Sequence, residues 1–165
     1  MSIKPLVSFC LVLLLALLVG CTKKPMPDGM PTLYRVSISV TQEGKPLADA
    51  TVSLRYADSS AGTWAVGGRT GAEGTANLFT NGYRGAPVGA FKVLLFKQEN
   101  EGLKEYSESA NFEDAQRIKV KIWSCLKEEY NDPEKTPLEV EITSSTKTLK
   151  VDAGPAVKIE QPFVP

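Results

Sequence analysis

The chain reads as an all-β sandwich behind an N-terminal export and anchoring segment. Three observations carry that reading. Thirteen glycines and eleven prolines in 165 residues cut the chain into short pieces. Most pieces alternate apolar and polar residues with period two, the pattern of a strand with one wet face. No stretch of the later chain holds the helical i, i+3, i+4 spacing for long, and seven or eight short strands make a sandwich.

The first piece is an address. Residues 1–20 place one cation, Lys4, before an apolar run from Leu6 to Val19. That run is short for a membrane-spanning helix and has the layout of a secretory signal. It closes on Leu18, Val19, Gly20 and Cys21, which resembles a bacterial lipobox. In such a box the small Gly20 admits the signal peptidase, and only a thiol at Cys21 forms the thioether to diacylglycerol. Acyl chains contribute about 0.8 kcal/mol per buried CH₂, so a triacylated cysteine is a firm anchor. Thr22, rather than Asp, follows the cysteine, which in an enterobacterial-type envelope favours sorting to the outer membrane. Residues 21–32 then form a lipidated tether with three prolines and a glycine, a semi-extended spacer between bilayer and domain.

The domain is expected over 33–153. At 34–40, Val36, Ile38 and Val40 alternate with Arg35, Ser37 and Ser39. A turn at 42–45 leads to a second strand at 50–56 with Val52, Leu54 and Tyr56 inward. After a polar loop comes an irregular strand at 63–70, broken by Gly67 and Gly68. A tight turn, with positive φ expected at Gly71 and Gly74, opens a strand at 75–80 with Ala76 and Leu78 inward. Residues 81–89 read as loop. The run 90–97 has apolar residues at both parities and reads as a central strand buried on both faces. The charged stretch 98–116 reads as a surface excursion with one helical turn near 112–116. Strands at 117–123, 138–143 and 148–151 follow, the last two as a closing hairpin around Ser144 and Ser145. The tail, 154–165, is bounded by prolines and reads as an edge segment or disordered chain.

Four pieces, in order, carry a family resemblance. GKPLADATV at 44–52 resembles the GKPLAGATV opening of carboxypeptidase regulatory-like domains. RTGAEG at 69–74 stands where that family has TDADG, and GAPVGAFKV at 85–93 where it has GAPPGEYKV. YNDPEKTPL at 130–138 is similar to the KYADPETSPL segment of lipoproteins from planctomycete-like bacteria. Gly71 takes the place of the family's usual Asp, Ala90 that of its common Glu, and the charged excursion has no counterpart. The resemblance implies a Greek-key sandwich of the transthyretin or prealbumin type. It carries over a non-catalytic accessory domain, not a peptidase.

Composition narrows the chemistry. Nineteen basic residues against nineteen acidic ones leave no basic footprint for nucleic acid. The chain has no histidine, so a Ser-His-Asp arrangement and a histidine metal cluster are ruled out. Of three cysteines, Cys10 leaves with the signal and Cys21 takes lipid. Cys125 then stands alone and is expected as a small buried hydrophobe. The acidic pairs at 113–114 and 128–129 read as solvated faces, and Asp58 with Ser59 and Ser60 is too thin a ligand set for calcium. Tyr83-Arg84-Gly85 echoes part of the C-terminal motif of transthyretin-like hydrolases, but lies mid-chain and without histidines.

The expected function is therefore a lipid-anchored, non-enzymatic envelope protein that scaffolds or binds another envelope component. No cofactor and no metal are expected. The alternative is a glycan- or small-ligand-binding surface lipoprotein that feeds uptake or degradation. Its candidate binding face is Trp64 with Tyr83, while Trp123 ends a strand beside Cys125.

Overall fold

The computed structural model describes residues 25–108, 113 and 118–162. Pro31–Pro165 form one compact unit and Met1–Met30 a separate one. Of the latter, residues 25–30 are described, including a turn in which the Met30 N–H donates to the Pro27 carbonyl at 3.2 Å. The expected signal at 1–20 and the expected lipobox residues Leu18, Val19, Gly20 and Cys21 lie outside the described residues.

The domain is all-β, with thirteen strands in three sheets among the described residues. The largest sheet takes its strands in the order β11 (Glu139–Ile142), β8 (Gly89–Phe96), β3 (Thr51–Tyr56), β4 (Val66–Arg69), β6 (Phe79–Thr80) and β7 (Tyr83–Arg84). The second sheet centres on β1 (Ser37–Gln42). This strand pairs with β12 (Thr148–Asp152) on one side, and with β2 (Lys45–Pro46) and β5 (Thr75–Asn77) through antiparallel ladders. Alternation decides which residues meet between the sheets. Ile38, Val40, Leu54, Phe91 and Val93 are fully buried, and Val52, Leu95 and Ile142 nearly so. Ser37, Ser39, Arg55 and Lys92 take the wet parities. Tyr56 and Phe91 sit opposite each other in the β3–β8 register, with ring centroids 4.6 Å apart.

Strand 75–80 turns the corner between the sheets. Its first half, β5, pairs with β1, and its second half, β6, with β4. Leu78, between them, is fully buried. Its N–H donates to Val36 at 3.1 Å and its carbonyl accepts from the Gly85 N–H at 2.9 Å. The tight turn before β5 needs positive φ at Gly74 (φ 65°), where a Cβ would sit 2.6 Å from the Val40 carbonyl oxygen. Gly71, expected to share that role, has no positive φ.

Three further expectations are corrected. β11 and β12 form no hairpin. β11 pairs with β8, while β12 runs parallel to β1 in the other sheet. The turn at 143–147 crosses between sheets and ends with the Lys147 carbonyl accepting from the Ser37 N–H at 2.9 Å. The physical reason is that β12 supplies backbone partners to the open edge of β1, which sequence adjacency does not reveal. β8 is central, as expected, but its second face is only partly covered: Leu94 is buried and Phe96 is 39% exposed. Tyr83, expected in a loop, lies in β7, after a two-residue turn in which Asn81 and Gly82 both have positive φ.

The excursion is more regular than its charge suggests. β9 (Gln98–Glu101) continues β8 beyond Lys97, and β10 (Lys121–Ser124) pairs back on it. A short helix, α1 (Leu103–Glu108), lies between them. The helical turn expected near 112–116 lies, apart from residue 113, outside the described residues. The tail is an edge strand: β13 (Ile159–Gln161) pairs with β10 and completes the third sheet, β13-β10-β9.

Candidate functional site

Trp64 and Tyr83 come to one corner of the large sheet. β4 pairs Val66 with Thr80, and β6 pairs Thr80 with Tyr83. The Asn81 N–H donates to the Ala65 carbonyl at 3.0 Å, which ties the β6–β7 turn to the chain just after Trp64. Both aromatic residues are half-buried. Each therefore combines packing contacts with an accessible part, the arrangement that suits an amphipathic contact residue.

Phe79, which sequence reasoning passed over, belongs to the same corner and is 41% exposed. It was legible in principle, because Ala76 and Leu78 inward place Phe79 on the outer parity. In register it sits between Gly67 and Arg84. Tyr83, opposite the buried Thr80, takes the other face. The corner thus offers aromatic side chains on both sides of a two-strand edge.

The other singled-out groups have structural roles. The Asp58 carboxylate accepts from the Ser60 N–H at 2.8 Å and its hydroxyl at 2.7 Å, capping a 3₁₀ turn at Ser59–Ala61. Those bonds hold its carboxyl below the ordinary range. Glu128 and Glu129 open a second 3₁₀ turn, Glu128–Asn131, and Glu129 pairs with Lys127 at 3.4 Å. This turn lowers Tyr130 into the core. Glu113 is exposed, and Asp114 lies outside the described residues. Cys125 is a free thiol and half-buried rather than fully buried. Burial, and then the nearby Glu99 carboxylate, push its pKa up, which disfavours the reactive thiolate. Trp123 lies on β10 with the Lys158 ammonium 4.0 Å from its ring centre.

Two hollows flank the central strand. One, of about 240 Å³, is lined by Ala57, Ala90, Phe91 and Val140 with the carboxylates of Glu139 and Glu141. The other, of about 140 Å³, lies where β8 passes into β9, under the turn at 126–131. Among the described residues no group of three or more metal-ligating side chains gathers.

No known family model matches the chain, and neither a curated protein nor a solved structure matches it.

Proposed function

We propose that the chain is a lipid-anchored, non-enzymatic lipoprotein of the bacterial envelope, whose β-sandwich scaffolds or binds another envelope component. The observation that carries this reading is the sequence Leu18, Val19, Gly20 and Cys21 at the end of an apolar run, followed by a proline-rich spacer. Lipid on Cys21 holds the domain at a membrane, and Thr22 favours the outer one. The sequence pieces at 44–52, 69–74, 85–93 and 130–138 resemble the carboxypeptidase regulatory-like pattern, in which the turn motifs build the fold and supply no reactive group. The absence of histidine from the sequence removes the commonest general base at neutral pH.

The corner that carries Trp64 and Tyr83 is the contact face in this reading, with Phe79 on the opposite side of the same edge. Partly exposed aromatics contribute most to protein contacts when a partner completes their burial. Two experiments test the two halves. Cys21→Ala abolishes incorporation of a labelled fatty acid into the protein. A photo-crosslinking residue at Tyr83 captures one envelope component in cells, while the same residue at Lys150, on the second sheet, does not. Equal capture from both positions contradicts the assigned face.

A further inference from the structure

The smaller hollow is built differently from the rest of the surface. Its lining includes Leu95 and Leu126, each 1% exposed, and Phe96, which is 39% exposed. Around these apolar residues stand three carboxamides, Gln98, Asn131 and Gln161. They come from three separate elements: β9, the 3₁₀ turn at Glu128–Asn131, and β13.

The backbone explains why they meet. β10 pairs Ser124 with Gln98 on one side, and Ile122 with Gln161 on the other. Opposed residues of antiparallel strands share a face, as do residues two apart. Gln98, Ser124 and Gln161 therefore look the same way, toward the turn that carries Asn131. The Ser124 hydroxyl donates to the Leu126 carbonyl at 2.8 Å, which fixes the start of that turn over the hollow.

The tail is held in place to deliver Gln161. The Glu43 carboxylate accepts from the Ala156 N–H at 3.1 Å, and the Glu43 N–H donates to the Gly154 carbonyl at 3.2 Å. Lys158 then lies over Trp123 on the opposite face of the same sheet.

A carboxamide offers a donor pair and an acceptor but no charge. Lys127, at the rim, is already paired with Glu129 at 3.4 Å, leaving Glu128 as the other charged lining residue. This chemistry suits an uncharged ligand with adjacent groups that both donate and accept, set beside an apolar surface. A sugar ring has that character: hydroxyls at its edge and C–H groups on its faces. About 140 Å³ accommodates one ring. The geometry points to a binding subsite for a single neutral sugar residue, formed by Gln98, Asn131 and Gln161 with Phe96 beside it. The C-terminal strand is an obligatory part of that subsite. This inference does not depend on the partner face at Trp64 and Tyr83.

The test is an NMR titration of the full chain in detergent with methyl β-glucoside and, separately, with N-acetylglucosamine. Saturable shifts are expected in the side-chain NH₂ signals of Gln98, Asn131 and Gln161 and in the Leu126 amide. The double variant Gln98→Ala with Gln161→Ala is expected to bind about tenfold more weakly, two hydrogen bonds being lost. Unchanged Val93 and Ile38 methyl signals, both from buried residues outside the hollow, verify that its core is intact. Ending the chain before Ile159 removes Gln161 by a second route and is expected to weaken binding likewise. Absence of saturable shifts with both sugars, shifts confined to Trp64 and Tyr83, or undiminished binding by the double variant each overturn the inference. Loss of the Tyr83 cross-link or of lipid on Cys21 leaves the titration unchanged, so the two readings fail separately.

Discussion

The Lys158 ammonium sits 4.0 Å from the centre of the Trp123 ring and fastens the C-terminal segment to the third sheet. The segment needs such a fastening, because no residue of β13 is buried. Cation–π contacts at accessible sites contribute roughly 0.5–1 kcal/mol. Lys158→Ala is therefore expected to speed hydrogen exchange of the β13 amides by about two- to fivefold and to leave the core amides of β3 unchanged. Equal acceleration throughout the domain would show that the contact holds more than the tail.

Thr70 is a buried hydroxyl with a fixed task. It donates to the Leu47 carbonyl at 2.6 Å and accepts from the Ala50 N–H at 2.8 Å, closing the loop between β2 and β3 against the end of β4. Thr70→Val keeps the shape and strands both backbone groups. The expected loss is about 1–3 kcal/mol in chemical denaturation, with an unchanged m-value.

Gly74→Ala is expected to destabilise more than an ordinary glycine-to-alanine change. Its φ of 65° disfavours a side chain, and the added Cβ would approach the Val40 carbonyl oxygen, the Leu47 nitrogen and the Pro46 Cα at 2.6, 2.8 and 3.0 Å. The backbone of both neighbouring strands must shift. Gly44→Ala is the control, since its φ is 74° with nothing near the added Cβ. A larger drop in melting temperature at Gly74 than at Gly44 is the expected result.

Asp132 organises the turn before β11. It pairs with Lys135 at 3.0 Å, and its carboxylate also accepts from the Glu134 N–H at 2.9 Å. The Lys135 hydrogen bond, then that from Glu134, hold its carboxyl below the ordinary range. With the folded pKa depressed, the contribution is present above the unfolded value of about 3.9 and is lost as pH falls through the folded one. The same pairing raises Lys135. An NMR acid titration should place the Asp132 midpoint below that of Asp132 in the unfolded chain. Loss of amide protection at Thr136, whose N–H donates to the Asp132 carbonyl at 2.9 Å, should accompany it.

Much of the fold was legible because burial imposes period two. Val36, Ile38, Val40, Val52, Leu54, Ala76 and Leu78 all face inward as their parity requires. Pairing was less legible. The parity of Leu149 and Val151 says which face is buried but not which strand lies alongside, so the parallel β1–β12 ladder went unread. β9 was hidden because QENE is exposed at every position and has no apolar parity to show. Of the site, Trp64 and Tyr83 could be named from residue type, but their meeting at one corner depends on the Asn81–Gly82 turn. The three carboxamides of the small hollow lie far apart in sequence and carry no motif; only the β9-β10-β13 register brings them together.

The central claim is anchoring through Cys21, and the most direct test is mass spectrometry of the N-terminal peptide of the protein from its native membrane. The account predicts a peptide that begins at Cys21 and carries diacylglycerol on sulfur, with residues 1–20 removed. A mature N-terminus elsewhere, or an unmodified Cys21, would contradict it.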